Sequence, residues 1–74
     1  MKHLNPINEF EIRFFYKDIL RRSERFSVKE YASLGDCAKS VRKRLKRAKT
    51  EGFKTMVYTI RQSGSVELLN TQKK

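Results

Sequence analysis

SLGDCAKSVRKRLKRAKTEG, residues 33–52, carries both ends of a helix in its own letters. At about 100° per residue, Leu34, Cys37, Ala38, Val41, Leu45 and Ala48 fall on one stripe. Lys39, Arg42, Lys43, Arg44, Lys46, Arg47 and Lys49 occupy the rest of the surface. Ser33 is a good N-cap, and Asp36 three residues later suits a capping box and the positive end of the helix dipole. Gly52 stands where a left-handed residue closes a helix, with Phe53 placed to fold back on the last turn. A helix with one apolar stripe needs something to cover, and its neighbours supply it.

Before the helix, Glu9–Leu20 (EFEIRFFYKDIL) alternates. Phe10, Ile12, Phe14 and Tyr16 make one face; Glu11, Arg13, Phe15 and Lys17 make the other. Arg21–Glu24 is polar and reads as a turn. Arg25–Ala32 (RFSVKEYA) reads as a second strand, with Phe26 and Val28 inward and Ser27, Lys29 and Tyr31 outward. After the helix, Phe53–Arg61 is rich in β-formers. The larger set Met56, Tyr58 and Ile60 is read as its core face, leaving Thr55, Val57, Thr59 and Arg61 outside. Gln62–Ser65 is a turn containing Gly64, and Val66–Leu69 is a short last strand.

The predicted fold is therefore α+β: a small antiparallel four-stranded sheet in the order β-β-α-β-β, with one helix packed on one face. A right-handed passage through the helix gives the spatial strand order 2-1-3-4. Residues 1–8 are expected to be a flexible lead-in, 9–69 a single domain, and 70–74 a flexible basic tail. Seventy-four residues bury only a small core.

Eighteen Lys and Arg against eight Asp and Glu give a net charge of +10. Such a field draws polyanions: nucleic acid first, an acidic protein surface second. The helix offers Lys39, Arg42, Lys43, Lys46, Arg47 and Lys49 to phosphates, contacts that give affinity with little choice of sequence. The uncovered sheet face is expected to present Arg13, Phe15, Lys17, Lys29, Tyr31 and Arg61, with bases stacking on Phe15 and Tyr31. The functional expectation is a non-catalytic DNA- or RNA-binding protein. The alternative is a small accessory or inhibitor protein, antitoxin-like or phage-type, that binds an acidic partner. A monomer, or a homodimer through the open sheet face with Phe15, Tyr31, Val57 and Leu69 between the copies, suits either.

Other classes find little support. His3 is the only histidine and Cys37 the only cysteine, so neither a zinc site nor an internal disulfide can be assembled. No nucleophile–base set stands out, and no cofactor is expected. A small RNA-cleaving toxin working through Tyr16, Tyr31, Tyr58 and arginines is the one catalytic alternative. No run approaches ~18 apolar residues and the N-terminus lacks an apolar signal core, so no membrane association and a cytoplasmic location are expected. The run Arg42–Lys49 is superficially similar to the basic helix of double-stranded-RNA-binding domains. Those domains place that helix after three strands and begin with another helix, an order that this chain does not follow.

Overall fold

The computed structural model describes residues 6–69. Of the flexible lead-in expected over residues 1–8 and the tail expected over 70–74, residues 1–5 and 70–74 lie outside the described residues, whereas Ile7 and Asn8 belong to the first strand, anchored where the Gln62 N–H donates to Pro6 O at 2.9 Å. Strands β1 (Ile7–Tyr16) and β2 (Ile19–Ser27) come first, and a single 3-10 turn (Val28–Glu30) leads into helix α1 (Leu34–Thr50). Strands β3 (Lys54–Arg61) and β4 (Val66–Leu69) follow. The strands form one antiparallel sheet in the order β2-β1-β3-β4, with α1 lying across β1 and β3. The order is the one that the sequence implies.

Both helix ends close as their residues require. Ser33 Oγ accepts from the Asp36 backbone N–H at 3.2 Å. At the other end Gly52 takes φ +89°, its N–H donates to Lys49 O at 3.1 Å, and the Phe53 N–H donates to Ala48 O at 3.0 Å. This pair of bonds is a Schellman motif, which satisfies carbonyls that a helix end leaves open. It also drives Phe53 inward, where its ring meets Phe14 edge-on at 5.8 Å.

Phe53 sets the phase of β3. From it, a period of two puts Thr55, Val57 and Thr59 on the helix side, opposite Phe14, Ile12 and Phe10 of β1. Val57 and Thr59 are buried, whereas Met56 is 37% exposed on the far face. The expected core face Met56, Tyr58 and Ile60 is thus corrected to its opposite. Size favoured those side chains for the core, but pairing with β1 and the Phe53 anchor leave no freedom of register.

The first hairpin also differs from expectation. The turn is Lys17-Asp18, not Arg21–Glu24. Both residues have positive φ (53° and 63°), and Tyr16 pairs with Ile19. This is a two-residue connection of the I′ kind, built without the usual Asn-Gly. β2 therefore begins at Ile19, and a bulge takes up Arg21 between the Phe15–Leu20 and Phe14–Arg22 pairs. The extra residue moves Phe26 opposite Phe10, on the helix side. Val28 and Tyr31 lie beyond the sheet and pack against the core rather than extending a strand.

The core is Phe10, Ile12, Phe14, Cys37, Val41, Ala48 and Val57. Burial pushes the Cys37 thiol up from its ordinary pKa, as expected of a core-filling cysteine. At the β2 flank Arg44 leaves the outer helix surface and closes this core. Its guanidinium lies 4.7 Å from the centre of the Phe14 ring and grips Glu24 through Nε (3.0 Å) and Nη2 (3.2 Å). Arg22 adds a third hydrogen bond to Glu24 at 2.9 Å. The bonds from Arg44 hold the Glu24 carboxyl below the usual glutamate range, against a smaller opposing effect of burial.

A depressed folded-state pKa means that stability is present above the unfolded value, about 4.3, and lost as pH falls through the folded one. Glu24→Gln is expected to cost on the order of 1 kcal/mol near pH 7, a modest figure because the pair is partly exposed. Urea midpoints of the variant and the parent should converge as pH falls below the unfolded value and through the folded one. A gap that stays constant across that range would show that the charge of Glu24 contributes nothing.

Candidate nucleic-acid interface

The apolar stripe of α1 fixes its rotation. Cys37, Val41 and Ala48 are buried, so Lys39, Arg42, Lys43, Lys46, Arg47 and Lys49 all stand exposed. Two rows at i, i+3 and i+4 spacing diverge from Lys39. One runs through Arg42, Lys46 and Lys49, the other through Lys43 and Arg47. Arg47 has Glu51 at 3.9 Å. Among the described residues, Lys39, Arg42, Lys43, Lys46 and Lys49 have no acidic partner. From Lys39 to Lys49 the helix rises about 15 Å.

The first row borders a groove of about 490 Å³, in which Leu45, Phe53 and Thr55 lie among Arg42, Lys46, Lys49 and Lys54. The helix C-terminus, the β1–β2 turn and the start of β3 meet at this end of the molecule. Lys54 lies 3.9 Å from Asp18. Tyr16 is 44% exposed here, edge-on to Phe53 at 6.3 Å, with Lys17 and Arg21 near its ring at 5.7 and 5.8 Å. Tyr16, Arg21, Phe53 and Lys54 thus join the basic end; the sequence names Tyr16 only for the catalytic alternative and puts Phe53 and Lys54 in no site. The position of the Lys17-Asp18 turn is the signal that would have brought them in.

Comparison with family models, with curated proteins and with solved structures returned no match.

The expected sheet site does not assemble. Arg13 and Phe15 do lie on the open face. Arg13 Nε donates to Glu11 at 2.9 Å, and its guanidinium lies 4.4 Å from the centre of the Tyr58 ring. Arg25 pairs with Glu9 at 3.2 Å and Glu11 at 3.5 Å. The cations at the middle of this face are therefore balanced by acids. Lys17 sits in the β1–β2 turn, at the basic end. Lys29 sits in the 3-10 turn, near the opposite end of the sheet. Tyr31 packs on the core and offers no open-face stacking platform. Arg61 shares the strand phase of Val57 and pairs with Glu67 at 3.5 Å. Lys29 and Tyr31 fail because β2 ends before them, and Arg61 because β3 has the opposite phase.

Among the described residues no His, Cys, Asp and Glu cluster able to hold a metal is formed. No helix among them is long and apolar enough to cross a membrane.

Proposed function

We propose that this protein binds nucleic acid without catalysis, holding phosphates along the outer surface of α1 and its basic end. The observation that carries this reading is the row of acid-free cations Lys39, Arg42, Lys43, Lys46 and Lys49. Their like charges at i, i+3 and i+4 repel mildly, by a few tenths of a kcal/mol per pair. A helix selected only for solubility would mix signs. A polyanion removes the repulsion, and a duplex offers one negative charge per ~1.7 Å of its axis, enough to face the whole row. Such contacts position a ligand and read no bases, so little sequence preference is expected. The sheet face takes no part in this reading.

Fluorescence anisotropy with labelled single- and double-stranded DNA and RNA tests it. Four or five phosphate contacts predict that log K falls with log salt at a slope of about −4 for duplex DNA, with binding of about micromolar strength persisting near ~150 mM salt. Affinity unchanged between ~50 and ~300 mM salt would reject the electrostatic account. Weak, indiscriminate binding that vanishes by ~150 mM would transfer the helix to an acidic protein partner.

A further inference from the structure

The face of the sheet turned away from α1 has the opposite character to the helix. β3 contributes Met56, Tyr58 and Ile60 to it, and β4 contributes Val66 and Leu68, paired with Ile60 and Tyr58. Met56, Val66 and Leu68 are 37%, 54% and 55% exposed. Beside this apolar stripe the centre of β1 and β2 carries Glu9, Glu11, Arg13 and Arg25, joined to one another as described above. In a chain of net charge +10, this is a surface of balanced charge.

We infer that this face is a homodimer interface, on which a second copy of the chain packs sheet to sheet. The inference does not depend on the nucleic-acid reading. A twofold contact lays a patch against itself, so any net charge on the patch is met by the same charge. The outer face of α1 cannot be used in this way, because its cations would oppose each other. The balanced face can, and a neutral surface gives an acidic partner no advantage over a second copy. The dimensions also suffice. Strands of ten, nine, eight and four residues, at about 3.3 Å rise and about 4.8 Å apart, together cover on the order of 500 Å² per copy. Two such faces bury about the 1,000 Å² that a specific interface needs. Packed this way, the two copies turn their cationic helices outward on opposite sides.

Sedimentation equilibrium of the full chain, over a concentration series reaching the millimolar range, tests the inference. The expected result is a monomer–dimer equilibrium between 8.8 kDa and twice that mass. The dimer should strengthen from ~50 to ~500 mM salt, because salt screens the repulsion between two cationic copies and leaves an apolar contact intact. Met56→Glu and Leu68→Glu, each present twice across the twofold axis, should raise the dimer dissociation constant at least about 100-fold. Both sites are exposed enough for the circular dichroism of the monomer to stay unchanged. A dimer that survives Met56→Glu would overturn the face assignment in favour of pairing at the β4 edge. A dimer weakened by salt, or a monomer throughout, would overturn the inference, the latter leaving the face to a different protein.

Discussion

Phe14→Ala is expected to destabilise the protein by about 3–5 kcal/mol, while Phe15→Ala, one residue along, costs no more than about 1 kcal/mol. Phe14 is fully buried. Its ring receives Phe53 edge-on at 5.8 Å, with Arg44 at 4.7 Å and Arg22 at 5.3 Å from its centre. Truncation therefore removes the site on which the helix C-terminus, the Arg44–Glu24 pair and the start of β3 all converge. Phe15 points to the open face, and solvent fills its place. A chain of this size has roughly 4–11 kcal/mol of stability in all. At about 4–8 °C per kcal/mol, Phe14→Ala should lower the melting temperature by at least ~12 °C or abolish cooperative unfolding. Thermal unfolding followed by circular dichroism decides it. Equal losses at the two positions would mean that the phase assigned to β1 is wrong.

That phase was legible because the β1 alternation is unambiguous: Phe10, Ile12 and Phe14 stand against Glu11 and Arg13. The helix was legible for a similar reason. Ser33 and Gly52 mark its ends through backbone hydrogen bonds that any helix must satisfy locally. Once the ends and the stripe are fixed, the outward direction of Lys39, Arg42, Lys43, Lys46, Arg47 and Lys49 follows. Strand order followed from the length and position of the connections. Arg44 was not separable from its cationic neighbours, because its inward turn depends on Glu24 of β2 being opposite Ile12.

What failed was register, which is a non-local property. Lys17-Asp18 carries no strong hairpin signature, so the first turn was placed too late and β2 with it. The bulge at Arg21 then restores Phe26 to the core, so a correct residue reached its place by a different route. For β3, hydrophobicity alone preferred Met56, Tyr58 and Ile60. The deciding clue lay one element earlier. If Phe53 folds back on the helix, a period of two leads to Thr55, Val57 and Thr59. Their small or β-branched side chains lie beneath the helix, and the larger ones remain for the open face. The expected sheet site depended on both failed registers, which is why Lys29, Tyr31 and Arg61 do not collect there. The expected helix site depended on neither.

The helix also gives the sharpest test of function, because binding and stability should respond to it in opposite directions. Lys46→Glu removes one phosphate contact, worth about fivefold in affinity near ~0.15 M salt, and adds a repulsive charge. Lys46→Glu with Lys49→Glu should weaken binding by at least about 30-fold and reduce the steepness of the salt dependence by about 2. Lys29→Glu changes the net charge as much as Lys46→Glu but lies in the 3-10 turn, at the other end of the sheet. It should change affinity less than about twofold, since screening limits exposed charges to a range of about 8 Å. On the unbound protein the effect of Lys46→Glu reverses. It replaces repulsion of Arg42 and Lys49 at i, i+4 and i, i+3 spacing with attraction, raising stability by a few tenths of a kcal/mol. Anisotropy titrations and urea midpoints on the same samples measure both. If Lys29→Glu harms binding as much as Lys46→Glu, the charge acts as a general field and the row on α1 is not a site. If Lys46→Glu loses affinity while gaining stability, the row is kept at a cost to the fold, which is what a surface meant for a polyanion requires.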